Sequence, residues 1–381
     1  MDASVAWHQQ EVPLPVRERQ SRAARLWVIA FVLWIASNLF VTGVARLATW
    51  EGDASYRRMA DLCHWDCTWY GSVVEGGYSK APKANAEVNW PFHPLFPITA
   101  YPLHKWFKLS LHGSVVLAGK LELLLAIYAF MLLLSDEAEM TSDYYRAGAL
   151  VAFNPYIIYA HAGYAEPLYF SLIALAFYFA RRSQWIASGA MGGLASATRL
   201  VGFLFSISYA VFWAREGSWR SRIAKADLGR TIGLLLCPLG AAIFTLYMYH
   251  LTGDALVQKH IQVAWEKVPG NPIHILKLSL LHPHWQRVWG VMVIASLLLS
   301  AWLVKLGKAE MGIFLALSVL MPVSASIWAA PRYIWWQPPF LYAVYRLLRR
   351  NETAWLTYSA LAAGFAAFMI VAWFSGQNFV V

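Results

Sequence analysis

Trp65-Asp66-Cys67-Thr68-Trp69-Tyr70, followed after Gly77-Tyr78 by Asn89-Trp90-Pro91-Phe92-His93-Pro94-Leu95-Phe96-Pro97, is a long aromatic and proline-rich connection with one carboxylate set among rings. It comes directly after the first very apolar run. Loops of this length in compact proteins are usually functional.

Around it, 59% of the residues are hydrophobic and only 14% are charged, too few to cover the surface in the ordinary polar way. Apolar runs of about 15 to 22 residues recur along the whole chain, close to the roughly 20 that a helical crossing needs. They are continuous rather than alternating, so helices and not barrel strands are expected to span the bilayer. The fold class read from the sequence is an all-α, polytopic integral membrane bundle. The net charge of +10 comes from Lys and Arg at the ends of apolar runs. That pattern reports topology and argues against a nucleic-acid partner. No cleavable signal is evident at the N-terminus.

Arg17, Arg19, Arg22 and Arg25 precede the first apolar run, 26–45, and juxtamembrane arginines stay in the cytoplasm. Residues 1–25 are therefore expected as a cytoplasmic tail, and 46–111 as a first outer loop. Within that loop 92–107, broken by Pro94, Pro97 and Pro102, reads as a re-entrant or interfacial element. Further crossings are expected at 113–134, 147–160, 167–180, 185–198, 200–214, 231–251, 288–304, 311–326, 333–345 and 353–373. With the first run they make about eleven. A second outer loop covers 252–287, and 376–381 form an outer tail, so 26–375 make a single transmembrane domain. The short inner loop 135–145 is acidic, against the usual bias. The basic segment 215–230 carries apolar residues at helical spacing and is expected to lie flat on the inner leaflet.

This topology collects Asp66, Glu75, His93, His161, Glu166, Arg199, Lys259, His260, Trp265 and Arg332 on one face. A carboxylate between Trp65 and Cys67, kept close to apolar surface, is basic enough to take a proton. Arginines at helix ends suit a phosphate held at the membrane surface. Each has a plain structural alternative: Asp66 capping a helix that starts near Thr68, Glu166 capping its own helix, Arg199 snorkelling to the interface, Arg332 anchoring the last hairpin. Cys63, His64, Asp66 and Cys67 lack a second ligand pair, so no metal is expected. A Cys63–Cys67 disulfide is open in an oxidising compartment, although it lies within one turn and is expected to be strained. Lys120 and Glu122, inside the second crossing, are expensive there and need partners.

These residues carry a resemblance. Trp65-Asp66 with Trp69-Tyr70, Gly77-Tyr78, then Asn89-Trp90 through Pro97, resembles the PIG-V-like mannosyltransferases, polytopic glycosyltransferases of the GT-C class. Further matches follow in order: Asn154-Pro155 with Tyr164-Ala165-Glu166-Pro167-Leu168, Ala197-Thr198-Arg199, Gly253-Asp254 with Gln262 and Trp265, and Pro331-Arg332-Tyr333. The chain departs from the pattern at His93, where the family more often has Phe, and at Ala165, where a Ser precedes the Glu.

The resemblance implies a GT-C-like fold and transfer of a hexose, mannose first, from a polyprenyl-phosphate sugar. The acceptor is a lipid or glycan hydroxyl on the non-cytoplasmic face. It implies inversion at the anomeric carbon with Asp66 as general base. Trp65, Trp69, Tyr70, Asn89, His93, Glu166, Arg199, Gln262, Trp265, Arg332 and Tyr333 are the candidate substrate-binding residues. The partners are then the donor, the acceptor and the bilayer; no cofactor and no divalent metal is called for. A bacterial plasma membrane, or the ER membrane in a eukaryote, is the implied site. The rival reading is a lipid or small-solute transporter or flippase. Transporters typically carry internal repeats and broken helices at the bilayer midplane, and no repeat is visible in this chain.

Overall fold

Ser110 caps the central helix of the bundle, its hydroxyl accepting from the Gly113 amide at 3.3 Å, and Leu111–Leu133 then runs as a mostly apolar helix of 23 residues. The computed structural model describes residues 16–50, 56–80, 87–215, 228–265, 267, 270–328 and 330–377, without the side chains of 16–20 and Trp265. In chain order the first helices are α1 Val16–Ala48, α2 Asp66–Gly76, α3 Leu95–Lys105, α4 Leu111–Leu133, α5 Thr141–Ala152 and α6 Ile158–His161. The middle of the chain gives α7 Glu166–Arg181, α8 Trp185–Thr198, α9 Phe205–Arg215, α10 Leu228–Leu236, α11 Leu239–Thr252 and α12 Val257–His260. The rest forms α13 Pro272–Leu281, α14 Trp285–Lys305, α15 Ala309–Val323, α16 Ala330–Trp335, α17 Pro338–Leu348 and α18 Glu352–Phe374.

Four of the described helices, Ser21–Ala48 of α1, α4, α14 and α18, are long and apolar enough to cross a bilayer alone. The pair α10 and α11, bent by 45° at Cys237-Pro238, is long and apolar enough only when taken together, as a broken span or a re-entrant loop. Proline explains the bend, because it removes an amide donor and crowds the preceding turn. Most other expected crossings are shorter helices. At 1.5 Å per residue the 16 residues of α7 reach only about 24 Å. They are buried among other helices, where the length rule set by lipid does not apply. Hydropathy alone cannot separate such a helix from a crossing, so the expected count is not reproduced. Nor is 147–160 one helix: α5 ends at Ala152 and the chain breaks before α6.

Close helix contacts use small residues. A Cβ on Gly189 of α8 would stand 2.0 Å from the Gly233 carbonyl oxygen of α10, and one on Gly193 2.5 Å from that of Leu236. This is the small-xxx-small packing of helices in lipid, where backbone proximity replaces the hydrophobic drive. The expected re-entrant element is α3, which packs on α2, α4 and α8.

One end of the bundle is ionic. Glu137 accepts hydrogen bonds from Tyr342 and, at 2.6 Å, from Arg346, with Lys308 at 3.5 Å and Arg181 at 3.8 Å. Asp136 pairs with Arg182 at 2.5 Å, and Glu310 with Arg215 at 2.8 Å. The acidic loop 135–145 thus lies on the same face as the basic loops, its Asp136 and Glu137 carboxylates paired with cations there. The amphipathic segment expected at 215–230 lies, over 216–227, outside the described residues.

The charges inside the bundle find partners. Lys120 donates to Asn38 Oδ1 at 2.8 Å, and Glu122 accepts from Thr99 at 2.6 Å. His161, grouped from the sequence with the outer-face residues, is buried against α1 and meets Ser37 Oγ at 3.0 Å.

Candidate active site

At the end of the bundle opposite Glu137, four chain segments converge. Because α7 and α8 are antiparallel neighbours, Glu166 at the start of α7 meets Arg199 just after the end of α8, Nη1 to Oε1 at 2.5 Å. Arg332 of α16 reaches Asp66 at the start of α2, Nη1 to Oδ2 at 2.8 Å. Its Nε lies 3.2 Å from Glu166 Oε1, out of hydrogen-bond geometry, so this buried donor has no hydrogen-bond partner among the described residues. Arg332 thereby joins both carboxylates into one network. Side-chain exposures of 20% for Asp66, 10% for Arg332, 11% for Arg199 and 2% for Glu166 put it beneath the surface, with Asp66 the most open member.

Asp66 is held by its own turn. Cys63 and Cys67 form a disulfide, Cα to Cα 5.2 Å, that brackets Trp65 and Asp66. The sequence expectation took both cysteines as lying within one helical turn. Helix α2 begins only at Asp66, and Cys63 is in extended backbone, which brings the pair into bridging range. Trp65 adopts φ 49°, a left-handed conformation costly for an aromatic residue. An edge contact with Trp373, ring centres 4.5 Å apart, holds it there. Behind the bridge, Gly163 is at φ +79°, and a Cβ there would lie 2.9 Å from Cys67 Sγ.

Rings surround the cations. Arg332 lies over Tyr159 and Tyr164 at 5.3 and 5.2 Å, and Arg199 over Tyr333 at 4.3 Å. Burial, with Glu166 nearby, raises the Tyr70 phenol well above its ordinary range, and burial with Asp66 does the same for Tyr164. Both phenols are therefore protonated donors at neutral pH. Lys267 is a third cation whose charge acts on Tyr333, beside Arg199 and Arg332.

The structure thus brings together Asp66, Glu166, Arg199, Arg332, Tyr333 and Tyr70. Neither carboxylate serves as the helix cap considered from sequence: both face arginines. Arg199 is buried and paired, so it does not snorkel. The aromatic setting expected for Asp66 is joined by an arginine from a distant segment, which sits on the carboxylate. Trp69 stacks on Phe92 beside Tyr70. Asn89 is used by the loop itself, bonding Ser72, Gly77 and Ser79. His93 is buried with Nδ1 on the Ser196 carbonyl at 3.0 Å. Gln262 lies half-buried on the connection that leads to Lys267, its carbonyl accepting the Lys267 amide. The Trp265 side chain lies outside the described residues. Glu75 and Lys259 are exposed, and His260 pairs with Asp254. Sequence reasoning missed Tyr159 and Lys267; no motif marks either.

The geometry can be compared with known proteins. The chain matches no protein-family model and no curated protein sequence. Among solved structures, the crystal structure of ArnT from Cupriavidus metallidurans bound to undecaprenyl phosphate superposes with a TM-score of 0.51 at 17% identity. The match covers 91% of this chain and 64% of that one, so this chain spans under two thirds of that protein's length. The chain is an all-helical integral membrane protein that shares its fold with that structure. The likeness is one of fold, and the PIG-V-like resemblance rests on the motifs quoted above.

Proposed function

We propose that this protein is a membrane glycosyltransferase that moves a hexose from a polyprenyl-phosphate sugar to an acceptor hydroxyl. The observation that carries the reading is the Asp66–Arg332–Glu166–Arg199 network, one accessible carboxylate among buried arginines. The structural neighbour, crystallised with undecaprenyl phosphate, supports a lipid phosphate as the group those arginines meet.

The chemistry follows from charge. The acceptor oxygen attacks the anomeric carbon, and its proton goes to the open Asp66 carboxylate. The bond from that carbon to the phosphate oxygen breaks with its electron pair. The departing phosphate gains one negative charge, which Arg332, Arg199 and Lys267 stabilise. A phosphate leaves without a general acid, so one base suffices. Attack opposite the leaving group inverts the centre. Mannose is the sugar favoured by the motifs, and a lipid or glycan carries the acceptor hydroxyl. The Cys63–Cys67 bridge and the basic opposite face support a site on the oxidising, non-cytoplasmic side.

The test uses purified protein in lipid nanodiscs with undecaprenyl-phosphate mannose, glucose or galactose and a membrane-lipid extract as acceptor. Release of undecaprenyl phosphate with one sugar preferred is the expected result. No release with any sugar, together with no binding of undecaprenyl phosphate, overturns the reading.

A further inference from the structure

Arg332 stands where two demands on it conflict. It donates to Asp66 at 2.8 Å and faces Glu166 at 3.2 Å, while its buried Nε has no hydrogen-bond partner among the described residues. A guanidinium has five N–H donors in a fixed fork, well matched to a phosphate. The same fork is therefore shared between the Asp66 carboxylate and any phosphate that arrives. From this geometry we infer that Arg332 is a donor-responsive latch: it restrains Asp66 while the phosphate site is empty and releases it as a base when a lipid phosphate arrives.

The inference rests on the proposed function and adds an order to it. Negative charge beside Arg332 cancels the field that Asp66 experiences, and hydrogen bonds to phosphate draw the fork away from Oδ2. The carboxylate then accepts the acceptor's proton only when there is a sugar to receive the oxygen. The coupling is reciprocal: whatever Asp66 costs the phosphate through Arg332, the phosphate returns by loosening Arg332 from Asp66.

A double-mutant cycle on undecaprenyl phosphate binding, measured with full-length protein in nanodiscs, tests it. Asp66→Asn removes the competing charge, so undecaprenyl phosphate should bind about fivefold or more tightly. In the Arg332→Gln background the same change should do little, because the residue through which Asp66 acts is gone. Equal affinity in wild type and Asp66→Asn sinks the latch, and so does a gain that persists in Arg332→Gln, which is plain charge repulsion. Asp66→Ser, which also removes that charge, carries the same expectation if Asp66→Asn fails to fold. Binding by wild type with no difference among variants overturns the latch alone. No binding by wild type at all removes the proposed function with it.

Discussion

Arg332 Nη1 lies 2.8 Å from Asp66 Oδ2, although 266 positions separate them in the chain. The pair ties the first connection of the protein to its last hairpin.

Asp66→Asn keeps the shape of the side chain but cannot take a proton. Turnover is expected to fall about 100-fold or more, a typical share for acid–base catalysis, with undecaprenyl phosphate still bound. Rates and binding on the same preparation check this. If Asp66→Asn keeps more than about a tenth of the rate while Glu166→Gln loses nearly all of it, the base is Glu166.

Arg332→Ala and Arg199→Ala should each lower turnover by about 10- to 1,000-fold, with Lys rescuing partly because it lacks the planar fork. Arg332→Ala also leaves Asp66 without its cation, so a lower melting temperature accompanies it. Lys267→Ala should lower kcat, because the charge it meets develops as the phosphate departs. An effect confined to KM would mean that Lys267 binds the donor without stabilising its departure.

Reduction of the Cys63–Cys67 bridge frees the turn that holds Trp65 at φ 49° and aims Asp66. Displacing a reacting group by about 1 Å can cost about 100-fold, so turnover after reduction and thiol blocking should fall by an order of magnitude or more. Unchanged turnover would mean the aromatic contact with Trp373 alone fixes the turn.

Cysteines placed at Ser79 and Gln184, at opposite ends of the bundle, should react differently with an impermeant reagent in intact cells. Ser79→Cys labels and Gln184→Cys does not if the candidate site faces outward. The reverse pattern would put the site in the cytoplasm.

Burial raises the Glu137 carboxyl, but Arg181, Tyr342, Lys308 and Arg346 outweigh it and hold the group at about 2, below its ordinary 4.5. A depressed carboxyl contributes stability that is complete above about pH 4.5 and is lost as pH falls toward 2. Melting temperature in detergent should drop through that window. In Glu137→Gln it should be lower at neutral pH and less sensitive to acid.

The sequence by itself determined the solvent and the parts. Its hydrophobic fraction required a membrane, its continuous apolar runs required helices, and its Trp-Asp, Glu-Pro, Thr-Arg and Pro-Arg-Tyr pieces supplied the polar residues of one end. Those are local properties, legible because hydropathy and motif order are written along the chain. Tertiary structure alone decided which apolar runs form long helices and which form short, buried ones, since both read as equally apolar. It also decided that Asp66 faces an arginine and not only rings, that Lys267 and Tyr159 join the site while Asn89 and His93 serve the loop and core, and that the acidic loop at Glu137 is neutralised by distant cations. Each of these is a contact between residues far apart in sequence. Electrostatic energy depends on distance in space, which a single chain does not record.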